Sequence, residues 1–261
     1  MNFIYLIIEV EKGGDFMRTS SEFRAEARNS LANKWGKAVL FTLIQLGVIF
    51  GINLILGFIP VLNLLGIVVT IPLSYGLISC FMKLKRTGDC AYGDFFTDSF
   101  SNFGKIWAVV GQTILKLIVP ILIVAATFII YILGFVFMGI AASTDSDASV
   151  IFGIIGVLLF ILFIVAYAGA FVFLFIKALA YSLVPYILFD NPNMTAKEMV
   201  ELSDSMMKNQ KWNYFKLQLS FIGWFILTYF TCGIGTLFLT PYMNFATIAF
   251  YEDRANDGSN M

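Results

Sequence analysis

Histidine is missing from all 261 residues. Its absence removes the commonest general base, the commonest metal ligand and the only side chain whose ordinary pKa lies between pH 5 and 8. Cysteine is nearly as scarce, and Cys80, Cys90 and Cys232 lack the paired spacing that holds zinc. Charge is scarce too. Charged residues are 13% of the chain and hydrophobic ones 59%, where a soluble domain carries roughly a quarter and a half. The formal net charge is zero, so the whole-chain balance implies no nucleic-acid partner. There is no Gly-rich phosphate loop, nucleophile elbow or glycosidase-like carboxylate pair, and a non-enzymatic protein with no cofactor or metal is expected.

What is present is apolar length. Residues 38–82, 117–144, 148–176 and 217–251 carry no charge at all. About 20 such residues cross a bilayer as a helix, and a water-soluble domain of this size does not hold four such windows. The 28 Phe and 11 Tyr add to that bias. The pattern therefore predicts an all-α membrane protein, a polytopic bundle of about six transmembrane helices in three hairpins. Cys80 and Cys90 then fall near one membrane face and Cys232 near the other, so free thiols are expected. None of the apolar windows contains an acidic residue, which counts against a classical ion-coupled transporter.

The chain repeats one grammar. Thr19 with Glu22 matches a capping box, and Phe23, Ala27 and Leu31 share a helical face. Asn33-Lys34-Trp35-Gly36-Lys37 then forms a basic-aromatic anchor of the kind found at headgroup level, before a first crossing over 38–58, a turn at Ile59-Pro60 and a second crossing to about Met82. After a polar loop in which Phe96, Phe100 and Phe103 share a face, Lys105 and Trp107 introduce a third crossing running to about Ile140. The fourth crossing begins near Val150, and its apolar run ends at Phe189, before Asp190-Asn191-Pro192. A third lead-in has a second capping box, Thr195 with Glu198, and places Met199, Leu202 and Met206 on one face. Lys208, Lys211, Trp212 and Lys216 repeat the anchor. Residues 217–251, interrupted by Gly233-Ile234-Gly235, read as two crossings of about 17 residues, with one tilted or broken helix as the alternative. Three short amphipathic cytosolic helices thus precede three hairpins.

Residues 1–16 are expected to be a mis-assigned start or disordered, with translation beginning at Met17. Their short apolar run lacks the basic leader of a signal peptide, and Lys12-Gly13-Gly14-Asp15 can be encoded by a purine-rich ribosome-binding sequence. A single membrane domain over 17–251 and a disordered tail over 252–261 complete the division. Basic residues gather before the first crossing and in the second-to-third and fourth-to-fifth connections. The alternate loops have none. That asymmetry places the N-terminus, both long connections and, with six crossings, the C-terminus in the cytoplasm.

Within the apolar runs the ionisable side chains of note are Lys116 and Lys177, candidate contacts for a lipid phosphate or a substrate. The competing reading is that both amines snorkel to the headgroups. Gln45, Asn53, Gln112 and Gln218 are expected to hold helices together. Ser220 and Gly223, three apart, suit close helix contact, and Pro241 is expected to kink its helix.

Tyr181-Ser182-Leu183-Val184-Pro185-Tyr186, Asp190-Asn191-Pro192, Lys211-Trp212 and the run Leu217 to Trp224 resemble an uncharacterised bacterial membrane family, the domain of unknown function numbered nine-seven-five. Gly233-Ile234-Gly235, Pro241-Tyr242 and Phe250-Tyr251 continue the resemblance, and Arg24-x-x-x-Arg28 with Trp35-Gly36 resembles its usual beginning at Met17. Gln218 and Asn209 stand where an acidic residue and a glycine are expected. The resemblance implies a bacterial inner-membrane protein and marks Asp190, Pro192, Lys211, Trp212, Ser220, Gly223, Trp224, Pro241 and Tyr242. The layout is also similar to the membrane portion of some glycerophosphodiester phosphodiesterases, whose catalytic domain this chain lacks. Beside the bilayer, the expected partners are anionic lipids or another membrane protein, organised or sensed by the surface helices. The alternative is a transporter or flippase for an amphiphilic solute, using Lys116 and Lys177.

Overall fold

Where a helix is apolar all round, its backbone polar groups must be satisfied within the segment itself, and α-helices do this without outside partners. The computed structural model describes residues 18–56, 60–144 and 146–258, and every regular element among them is helical. They are α1 (Ser20–Leu31), α2 (Trp35–Leu56), α3 (Pro60–Thr87), α4 (Tyr92–Ser101), α5 (Phe103–Ser143), α6 (Ala148–Leu179), α7 (Val184–Asp190), α8 (Ala196–Met206), α9 (Lys211–Leu219), α10 (Ile222–Phe230) and α11 (Thr236–Gly258). Four stretches are long and apolar enough to cross a membrane: Trp35–Leu56, Leu65–Thr87, Phe103–Ser143 and Ala148–Asp190. The proposed start at Met17 and the segment before it lie outside the described residues.

The chain divides into two compact units, residues up to 103 together with those from 212 onward, and residues 104–211. In the first, α2 and α3 form an antiparallel hairpin. Lys34 at the head of α2 donates to the carbonyls of Leu84 and Lys85 near the end of α3, at 2.9 and 3.2 Å. Deeper in, the Gln45 amide donates to Ser74 Oγ at 3.2 Å. The surface helix α4 folds back along α3: Asp94 and Asp98 pair with Lys83 at 3.2 and 2.8 Å, and Ser79 donates to Asp98. Gly76 is what lets the two helices meet. A Cβ there would sit 2.7 Å from the Phe95 carbonyl oxygen and would overlap Ser99 Oγ. The face of α4 turned inward carries Phe95 and Ser99. Phe96, Phe100 and Phe103, which share the face named from the sequence, point outward.

Helix α1 lies along α11. Phe23, Ala27 and Leu31 are buried as their spacing requires, with Phe23 meeting Phe250 edge-on at 5.4 Å. Phe81 of α3 meets Phe245 from the other side at 5.9 Å. The apolar run 217–251 is broken twice. Backbone hydrogen bonds within Lys216–Phe221 close a tight turn at Ser220-Phe221 between α9 and α10. A second turn follows at 231–235, where Cys232 and Gly233 take φ of 50° and 87°. Gly223, expected at a close contact, has open space beyond its Cα. Pro241 stands inside α11, where it leaves the carbonyl of Leu237 without its helical donor. The expected disordered tail is corrected in part. The helix runs on through residue 258, because Arg254 pairs with Asp253 and Asp257 at 2.5 and 2.7 Å and Glu252 pairs with Lys85.

In the second unit, α5 and α6 run antiparallel. Their aromatic rings interlock, Phe128 on Phe163 and Tyr131 on Phe160 at 5.7 and 6.3 Å. The closest approach is at Gly134, where a Cβ would meet the Gly156 carbonyl oxygen at 3.3 Å. Beyond α6, the surface helix α8 is tied down by Ser203, whose hydroxyl donates to the Ala180 carbonyl at 2.8 Å. Its buried face is Met199, Val200, Ser203 and Met207. Leu202 and Met206, assigned to that face from the sequence, are only half-buried at its margin.

We expect Gly76→Ala to lower stability by about 1–3 kcal/mol, the usual cost of overpacking, read as a lower melting temperature in detergent. Gly47→Ala and Gly51→Ala, where a Cβ meets nothing within 4 Å, should leave it unchanged.

Candidate functional site

The densest polar structure in the first unit is where α1, α3 and α11 meet. Lys85, only 7% exposed, donates to Glu26 at 2.7 Å and to Glu252 at 2.6 Å. Arg86 adds a second contact to Glu252 at 2.8 Å. Arg18 pairs with Glu26 at 2.5 Å and with Asp253 at 3.6 Å, and lies over the Phe23 ring. Burial alone would raise the Glu26 pKa, but hydrogen bonds from Lys85 and Arg18 outweigh it and hold the carboxyl below its usual value.

One helical turn along α1, two arginines reach the break in the last apolar run. Arg24 Nη1 donates to the Ser220 carbonyl at 3.2 Å, the group that the end of α9 leaves free. Arg28 Nη1 donates to the Tyr242 hydroxyl at 3.5 Å. The Tyr242 ring is itself held edge-on by Phe221 at 5.0 Å and Trp224 at 6.2 Å. Behind them, the Gln218 amide donates to Thr247 Oγ at 3.2 Å and locks α9 onto α11. Arg24 Nε is buried and has no partner.

Beside Arg24 opens a cleft of about 510 Å³, lined by Arg18, Thr19, Ser21, Arg24, Asn213 and Lys216. Arg18 is committed to its carboxylates. Lys216 is exposed and rests over the Trp212 ring at 5.6 Å. No carboxylate is among the residues lining the cleft.

The residues singled out from the sequence fall into two groups. Ser220, Trp224 and Tyr242 converge on α1, with Trp212 beside Lys216, and Pro241 precedes Tyr242 in α11. Asp190, Pro192 and Lys211 lie in the second unit. There the Pro192 carbonyl accepts from Lys105, and Lys211 pairs with Asp204 at 3.5 Å. Lys116 and Lys177 have separate surroundings: Lys116 is 3.6 Å from Glu201, while Lys177 lies over Phe173 of its own helix at 5.9 Å. Arg24, Arg28 and the Lys85 clamp were not chosen as site residues. The Arg24-x-x-x-Arg28 spacing, one face of a helix, was the signal for the arginines. Lys85 gave none beyond its place at a helix end.

The two buried thiols meet as well. The neighbouring Cys80 thiol draws Cys90 below the usual thiol pKa against the opposing effect of burial. Among the described residues, no group of three or more acidic or cysteine side chains is placed to hold a metal ion.

A family model described as a protein of unknown function (DUF975) matches residues 17–256. No curated protein and no solved structure matches the chain, and the expected likeness to glycerophosphodiester phosphodiesterases is not shown.

Lys85→Met should cost about 1–3 kcal/mol at neutral pH by leaving Glu26 with Arg18 alone and Glu252 with Arg86 alone, less than a broken fully buried pair because both carboxylates keep a partner and some solvent. The folded pKa of Glu26 lies below its unfolded value, so its contribution is complete above the carboxylate range and is lost as pH falls through it. Melting temperatures should therefore drop on acidification in the wild type, with a shallower acid limb in the variant.

Proposed function

Because the chain belongs to the DUF975 family, whose function is unknown, we propose from its geometry that it is a non-enzymatic multi-pass membrane protein that organises lipids at its charged end. The observation that carries this reading is the second face of the surface helices. Helix α4 buries Phe95 in the protein yet turns Phe96 and Phe100 outward at 42% and 43% exposure, and Trp212 stands 62% exposed at the head of α9. Aromatic rings beside lysines are the usual furniture of the headgroup layer.

The apolar helices need the same solvent. Ile, Leu, Val and Phe are exposed on all sides of α5 and α6, far beyond the patch that water tolerates on a monomer. Helix α5, at 41 residues, is about 60 Å long, roughly twice a hydrocarbon core. Its surplus lies at the lysine end, so that Lys116 and, across the hairpin, Lys177 reach headgroup level.

Six crossings are supported by the last hairpin's likeness to the first. Gln45 bonds Ser74 and Gln218 bonds Thr247, an equal separation whose midpoints fall at positions 59–60 and at Cys232-Gly233. Glu252 pairs with Lys85, which puts the end of α11 beside the end of α3. The basic residues favour the cytoplasm for that end. The resemblance to a bacterial membrane family supports a bacterial inner membrane as the location. The transporter reading would need Lys116 and Lys177 to act together, and they are held by different neighbours.

In intact cells a membrane-impermeant maleimide should label Cys232, while a Gly88→Cys variant should label at that position only after permeabilisation. The reverse pattern would reject the orientation.

A further inference from the structure

We propose that the cleft between α1 and α9 binds the phosphate group of an anionic ligand, with Arg24 and Lys216 as the recognising cations. The proposal rests on the lipid-organising reading above and gives it a site and a chemistry. Two helices distant in sequence supply the cleft. The α1 side brings Arg24, whose Nη1 is spent on the Ser220 carbonyl but whose Nε is buried with no partner. A buried guanidinium nitrogen without an acceptor costs free energy that a phosphate oxygen would recover. The α9 side brings Lys216, which has no ion pair among the described residues and reaches the cleft from above the Trp212 ring.

Charge selects the ligand's sign. The lining contains three basic side chains and no acidic one, together with the hydroxyls of Thr19 and Ser21 and the amide of Asn213. Arg18 is already neutralised by Glu26 and Asp253, so the unmatched charge is that of Arg24 and Lys216. Two positive charges with neutral donors around them suit a phosphodiester or phosphomonoester better than a carboxylate, which has fewer oxygens to satisfy.

Position selects the ligand's surroundings. The cleft opens beside Trp212, and the chain that continues from Lys216 exposes Leu219 and Ile222. A phospholipid could seat its phosphate in the cleft and lay acyl chains on that apolar surface. A free phosphate would use the polar lining alone.

The experiment uses the full chain in neutral detergent, with melting temperature as the readout. Dioctanoyl phosphatidylglycerol, dioctanoyl phosphatidylcholine and inorganic phosphate are titrated separately. Saturable stabilisation by phosphatidylglycerol, weakened on the order of a hundredfold in Arg24→Gln/Lys216→Gln and about tenfold in Lys216→Gln alone, supports a lipid source. The same losses with inorganic phosphate support a soluble source. Lys216→Gln removes only an exposed side chain and keeps the test valid if the double variant fails to fold. Lys208→Gln, an exposed lysine of the second unit, should change nothing. Equal binding by wild type and Lys216→Gln, or no saturable binding of either phosphate ligand, overturns the site. Mass spectrometry of lipids retained by the wild type separates the two levels. If lipid is retained equally by the variants, the cleft is wrong and the lipid-organising reading stands. If none is retained by any form, that reading falls too.

Discussion

One ammonium group between two carboxylates decides how the first unit is put together. Lys85 meets Glu26 of α1 and Glu252 of α11, so a short amphipathic helix, a hairpin exit and α11 share one contact. A buried charge left without a partner is expensive, so the three helices that hold this one must stay together. The surrounding packing then has little freedom. With α1 fixed in rotation, Phe23, Ala27 and Leu31 face α11, and Arg24 and Arg28 are aimed at the Ser220 break and at Tyr242. Arg24 then lines the cleft between α1 and α9.

The surface helices show how one local rule serves three places. Thr19, Ala91 and Thr195 all stand at N-caps in extended conformation, followed three residues later by Glu22, Asp94 and Glu198. A bulky buried residue comes four after the cap (Phe23, Phe95, Met199) and a small one eight after it (Ala27, Ser99, Ser203). The small residue lets the helix lie close to its neighbour: α4 against α3 through Gly76, α8 against Ala180, and α1 against α11. After the first and third of these helices the chain turns through Asn33 and Asn209, at φ of 64° and 62°. Asparagine is among the few residues besides glycine that accept that conformation. This accounts for Asn209 where the family pattern expects glycine.

Much of this was legible because it is periodic. The capping boxes, the buried face of α1, the uncharged windows and the break near Gly233 follow from spacing and turn chemistry alone. The face of α8 was read one residue out, since Leu202 and Val200 are equally apolar and only the docking of Ser203 on Ala180 chooses between them. At α4, Phe96, Phe100 and Phe103 mark the outward face, because apolar spacing shows which residues share a face and not which face meets the protein. The Ser220 break was hidden for a related reason. Nothing in an unbroken apolar run announces a turn that is held by an arginine nearly two hundred residues away. The Lys85 clamp was illegible in the same sense, since its partners come from both ends of the chain.

That α1 docks on α11 has a consequence for synthesis. The ribosome delivers α1 at the outset, yet its apolar face has no permanent cover until α11 emerges. Until α11 has been made, the nascent chain therefore carries an amphipathic segment without its native cover. A chain truncated before residue 236 leaves that face of α1 without α11 to cover it.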